Sequence, residues 1–179
     1  MHPFKQSKYY TRGRGGRSVS QIFMHTLECQ KTMGVARRVW LWFTGRNSPQ
    51  ASVHFIVDYN TTYQSVNTQD TAWAVDQWER NTTSISIELA GYAAQTPAEW
   101  SDDYSKIELV RAARLVAEIA KEYHIPIVKL TPEQVFHGDK GIAGHWDVTQ
   151  GYHIYGGHTD PGKSFPWESF LKTVEGFMV

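Results

Sequence analysis

The chain has 179 residues, 18 Lys and Arg against 18 Asp and Glu, eight His and a single Cys. That length suits one domain able to bury about 70% of its unfolded surface around one core. The even charge balance offers no bulk attraction to nucleic acid or an anionic membrane, and the lone Cys excludes an internal disulfide and a Cys-based zinc finger. The N-terminal stretch is polar and basic with no apolar run, so no secretory signal is expected, and no later stretch approaches membrane-spanning length. The Gly- and Arg-rich run Arg12 to Arg17 reads as a flexible solvated arm, because charge elsewhere is evenly spread. Residues 1–19 are set apart as an N-terminal arm, and 20–179 as one domain without repeats or linkers.

Ser20 to Thr26 then reads as a short buried strand and Val35 to Phe43 as a helix carrying Trp40 and Trp42. Gly45 to Gln50 is a turn cluster; Ser52 to Asp58 and Tyr63 to Val66 are β-rich runs. Ser84 to Leu89 (SISIEL) alternates polar with apolar, the period of a half-buried strand. The strongest helix is expected from about Ser101 to Tyr123, with Ser101-Asp102-Asp103 as cap and acidic first turn. Its apolar stripe is Leu109, Ala112, Val116, Ile119 and Tyr123. A short helix starts at Thr131-Pro132-Glu133, and Pro166 to Met178 closes the chain as a helix. Strands interleaved with helices imply an α/β layer architecture.

Many imidazoles beside one thiol mean that any metal must be held by His and carboxylate. His25 ends the first strand, where side chains project into a crevice. Three His and two Asp crowd between His145 and Asp160, a density that needs explaining in a neutral chain. Two constellations can be drawn. His25, His145 and Asp160 with a water would make an open zinc site. Alternatively, His145-Trp146-Asp147 is a His-x-Asp pattern that His153 or His158 would complete as an iron facial triad. Glu88 shares a strand face with Ser84 and Ser86, and is either a solvated strand carboxylate or a general base aimed at a metal site.

His25, Ser84-Ile85-Ser86-Ile87-Glu88, Gly144-His145-Trp146-Asp147-Val148, Thr159-Asp160-Pro161-Gly162 and Phe165-Pro166-Trp167 fall in one order that resembles a known family. It is the zinc-dependent N-acetylmuramoyl-L-alanine amidases of the type-2 amidase family, which includes phage lysozyme-like amidases and is related to the peptidoglycan recognition proteins. Ser52 to Val57 and Ala72-Trp73 fit it too. The resemblance implies a central mixed β-sheet flanked by helices in an amidase catalytic domain. One Zn²⁺ would be held by His25, His145 and Asp160, Glu88 would assist the attacking water, and His158 would steady the oxyanion where many members have Lys. The implied reaction is hydrolysis of the amide between the lactyl group of N-acetylmuramic acid and L-Ala in peptidoglycan.

Four positions depart from the family pattern: His158 for Lys, Val53 where some members have Tyr, Ala74 where His is frequent, and a long loop between His145 and Asp160. Cys29 reads as a small buried hydrophobe. Trp40 and Trp42 are assigned to the core or groove edge, Trp73 and Trp146 to substrate stacking, and Trp100 and Trp167 to helix-start packing. The specific expectation is a monomeric phage endolysin domain, made in the cytoplasm and acting on the wall after holin-type release, with no nucleic-acid partner and no membrane insertion. A cytosolic recycling amidase would share these features. The contrasting readings are a non-catalytic recognition module and an iron oxygenase.

Overall fold

A computed structural model describes residues 2–178. Its elements, in order, are β1 (Tyr10–Thr11), β2 (Gln21–Thr26), α1 (Val35–Phe43), β3 (Phe55–Val57), β4 (Thr62–Gln64), β5 (Thr71–Ala72) and α2 (Trp78–Thr83). There follow β6 (Ser84–Leu89), α3 (Pro97–Trp100), α4 (Asp103–Tyr123), α5 (Pro132–His137), β7 (Gly141–Gly144), α6 (His145–Gly151) and α7 (Trp167–Gly176). Five strands form one sheet in the order β4-β3-β6-β2-β7, while β1 and β5 make a separate antiparallel pair. Strands β3, β6, β2 and β7 run parallel and β4 antiparallel, so the sheet is mixed. Among the described residues no helix is long and apolar enough to cross a membrane.

The period-two pattern divides the work of the two sheet faces. Ile22, Met24, Ile85, Ile87 and Leu89 pack with Ala112, Ala113, Val116 and Ile119 of α4 and with Phe170 and Val174 of α7. Burying each of the larger aliphatic side chains contributes about 1.5–3 kcal/mol. On the opposite face, Phe23 and Ala143 meet Val135 of α5 and Val148 of α6, and Ile56 meets Ala36 and Phe43 of α1. The site lies between these two smaller clusters. Strand β6 is central, so Ser84 and Ser86 are buried, not solvated, and only Glu88 keeps partial exposure.

Helix α1 and strand β6 have the expected limits. The long helix begins later than Ser101, because Thr96 and Glu99 form a capping box around Pro97 that closes a separate turn, α3. Asp102 then caps α4 by accepting from the Ser105 N–H at 2.7 Å. Leu109 and Tyr123 flank the buried stripe, partly covered.

The N-terminal stretch differs from expectation. It is not a solvated arm, because Arg14 is buried and donates to the carbonyls of Thr68 (2.9 Å), Thr82 (3.0 Å) and Ser84 (3.1 Å). Three backbone acceptors in need of a donor outweigh the solvation of one guanidinium. Phe4 bridges Gln64, and the Ser7 hydroxyl donates to the Phe43 carbonyl at 3.0 Å.

Beside Arg14 lies His54, fully buried. Its Nδ1 accepts from the Ser86 N–H at 3.1 Å, which leaves Nε2–H to face the Asp70 carbonyl at 3.2 Å. Burial, then the Arg14 charge, pushes its pKa down from 6.5 to about 3. The unfolded chain therefore binds a proton on His54 below 6.5 that the folded chain refuses until about 3. Across that window, acidification costs stability at up to about 1.4 kcal/mol per pH unit from this group. Denaturant titrations should show His54→Asn, which can keep the bond from the Ser86 N–H and does not titrate, losing less stability than wild type between pH 6.5 and 4. Equal slopes would exclude His54 as an acid trigger.

Candidate metal centre

The site is built where parallel strands end. His25 and Glu88 are register partners on β2 and β6, so both side chains leave the same sheet face at the C-terminal end. β7 ends at Gly144, and the chain turns at once into α6, whose first residue is His145. A Cβ at Gly144 would lie 2.5 Å from Pro161 Cδ and 3.1 Å from the Asp160 carbonyl, so glycine lets the Asp160 loop approach. The Trp146 N–H donates to that carbonyl at 2.9 Å.

These turns converge His25, His145 and Asp160, all buried, with one donor atom from each within 4.8 Å of the others. His25 Nδ1 lies 3.1 Å from Asp160 Oδ2, and His145 Nδ1 lies 3.6 Å from Oδ1. Burial and the neighbouring His25 push the His145 pKa down to about 2, keeping its ring neutral. Burial alone would raise the Asp160 pKa, but hydrogen bonds from His158 and His25 carry it well below the carboxylate range. Two buried imidazoles around a carboxylate form a donor set able to hold a metal ion.

Glu88 Oε2 is buried without a partner. Burial first, then Asp160 and Glu28, raises its pKa well above the ordinary value, so it is a carboxyl poised to exchange a proton. His158 stacks on His145 with centroids 3.9 Å apart and sets Nδ1 3.5 Å from Asp160 Oδ1. His25, His145, Asp160, Glu88 and His158 all line one hollow of about 360 Å³, with Trp73 on its wall. The Trp73 Nε1–H donates to Thr11 Oγ1 at 3.0 Å, so the N-terminal stretch steadies that wall.

The sequence model of the N-acetylmuramoyl-L-alanine amidase family matches residues 15–163. The chain belongs to this family of type-2 amidases. Among curated proteins, no sequence matches the chain. Its fold is similar to the Staphylococcus aureus hydrolase AmiA at 16% identity, covering 99% of this chain and 83% of that one, with a TM-score of 0.72. It is also similar to a mutant endolysin from Bacillus subtilis at 16% identity, covering 97% and 99%, TM-score 0.61. A third is the N-acetylmuramoyl-L-alanine amidase LysC from Clostridium intestinale URNW at 12% identity, covering 98% and 97%, TM-score 0.62.

In this amidase the His145-x-Asp147 pattern is not a metal pair. Asp147 Oδ2 accepts from the Gly144 N–H and from Lys129 Nζ, both at 2.7 Å, and so closes the start of α6. The iron-triad reading therefore loses its carboxylate, and exposed His153 sits in a turn beyond the helix. The His145–Asp160 segment is a loop only in its second half, because residues 145–151 are helical. Cys29 bonds its N–H to the Gly91 carbonyl at 3.2 Å and stands outside the donor cluster; burial raises its pKa, favouring the thiol. Trp146 does not line the metal hollow; with Trp167 it lines a second one.

Three acidic residues escaped sequence reasoning. Glu28 holds a left-handed backbone (φ 49) and accepts from the Thr26 hydroxyl and the Ala93 N–H at 2.6 and 2.7 Å. Asp76 stands 4.0 Å from His158. Glu108 is a buried carboxyl of α4 that accepts from the Ala90 N–H at 2.7 Å and so pins the loop following Glu88. Only the position of Glu28, three residues after His25, offered a signal.

Proposed function

We propose that the chain is a zinc-dependent hydrolase of the amide joining the lactyl group of N-acetylmuramic acid to L-Ala, with residues 20–179 as catalytic unit and 1–19 packed on it. The carrying observation is the convergence of His25, His145 and Asp160 beside a buried, unpartnered oxygen of Glu88. Two donors about 2.0–2.1 Å from a tetrahedral zinc lie about 3.3 Å apart, and the nitrogen-to-carboxylate spacings of 3.1 and 3.6 Å straddle that value. Neutral imidazole and ionised carboxylate are the forms zinc takes.

Zinc held by these residues would supply a Lewis acid that polarises an amide carbonyl and acidifies water at neutral pH. Glu88 takes the proton of the attacking water and returns it to the leaving nitrogen. His158, stacked above His145, donates to the developing oxyanion, a task that many relatives give to Lys. Trp73 and Trp146 contact the substrate on either side. A lytic, endolysin-type role on the wall polymer is the reading that goes with this family.

Digesting purified peptidoglycan with zinc-loaded protein tests the assignment. Products should carry new L-Ala amino termini; new reducing sugar ends instead would overturn it. Gly144→Ala tests the geometry, since the added methyl must push the Asp160 loop outward. Competition against a chelator should show zinc affinity lower by about 10–100-fold, the range for lost supporting contacts.

A further inference from the structure

The core-facing side of α4 carries one carboxyl among its apolar groups. Glu108 is fully buried one turn before Ala112, yet it belongs neither to the metal donor cluster nor to the lining of the hollow around it. Its Oε1 accepts from the Ala90 N–H at 2.7 Å, and its Oε2 has no partner among the described residues. The need for that bond comes from the sheet. Strand β3 accompanies β6 as far as Val57 beside Leu89, then turns away at Asp58, whose Oδ1 accepts from the Asn60 and Thr61 N–H groups. Ala90 is buried just beyond this last pair, and a buried N–H needs an acceptor.

We propose that Glu108 is a positioning residue of the metal centre, acting through the segment 90–93 that it anchors, an inference that rests on the amidase reading of that centre. Ala90 follows Glu88 by two residues, so the Glu108 bond fixes where β6 ends. The Gly91 carbonyl accepts from the Cys29 N–H at 3.2 Å, and the Ala93 N–H donates to Glu28 at 2.7 Å, which ties the segment to the chain leaving His25. Gly162 lies so close to the Ala93 carbonyl that a Cβ there would collide with it, so the turn after Asp160 rests directly on the segment. The stretches that carry His25, Glu88 and Asp160 therefore meet at 90–93. Behind them stands α4, 21 residues long and packed across the sheet, a rigid base for the anchor. Burial raises the Glu108 pKa well above its ordinary value, which favours the neutral form. What the side chain supplies is an acceptor of fixed reach, not a charge. Small displacements matter here, because a shift of about 1 Å in a reacting group can cost about 10²-fold in rate.

The test compares Glu108→Met, which fills similar space without an acceptor, with Glu108→Gln, which keeps the acceptor. Both are made in the full zinc-loaded chain, and thermal melts establish that each is folded. Glu108→Ala, which also lacks the acceptor, gives the same comparison where Met is not accommodated. Glu108→Met should lower kcat for L-Ala release by about 10–100-fold, with KM within about twofold of wild type. Its zinc affinity, measured by competition against a chelator, should fall about tenfold, the low end for lost supporting contacts. Glu108→Gln should stay within about threefold of wild type in both, a rescue that a merely space-filling residue would not show. Wild-type zinc affinity or turnover in a folded variant without the acceptor, an equal loss in Glu108→Gln, or a fall confined to KM would each overturn the proposal. Zinc competition needs no substrate, so the two readings fail separately. Acceptor-dependent zinc affinity without L-Ala release by wild type would sink the amidase reading alone, and L-Ala release that ignores Glu108 would sink only this one.

Discussion

Glu88→Gln is expected to lower turnover by about 10²–10⁴-fold, the usual contribution of a positioned general base, while one zinc per chain is retained. The amide keeps the size and position of the side chain but cannot accept a proton. Glu88 is placed beside His25 by strand register, yet it is not one of the three converging donors, so metal content and activity should separate. Its carboxyl is raised by burial, then by Asp160 and Glu28, a setting that holds a proton ready for the leaving nitrogen. Elemental analysis and timed release of L-Ala termini measure the two quantities. Near-wild-type turnover in the variant would remove Glu88 from the reaction.

His145→Ala should do the opposite and take the metal away. It deletes one of three donors and also the ring on which His158 stacks. Zinc should fall well below one per chain. Stability follows by mass action: zinc at a hundred times its Kd stabilises the native chain by about 2.7 kcal/mol, which a chelator removes. Wild type should therefore melt at lower temperature in chelator, whereas His145→Ala should melt at the same temperature with or without it. Stoichiometric zinc in the variant would show the donor set to be wrong.

Legibility in the sequence followed local periodicity. Helix α1 and strand β6 carry their own 3.6- and 2-residue patterns, and their limits were readable. Gly141–Gly144 offers four positions to β7, too few to show a period, and its strand character comes from pairing with β2. Helix α6 has seven residues, begins on His145 and depends on Asp147 folding back to Gly144, a contact with no signature of its own. The site divides in the same way. His25, Glu88, His145 and Asp160 stand in short motifs at element ends, where the pattern of residue types speaks. Glu28, Asp76 and the second hollow depend on segments far apart in the chain, and Trp167, expected only to pack at a helix start, also lines that hollow.

Arg14 has a practical consequence for anyone moving this domain between proteins. The family match opens at residue 15, one position after it. A chimaera joined at that homology boundary would strip the guanidinium from the Thr82 and Ser84 carbonyls at the foot of β6, the strand that carries Glu88 at its far end. Each buried carbonyl left bare costs about 1–3 kcal/mol. The portable unit is therefore longer than its recognisable one, and a splice should carry the whole leading segment with it.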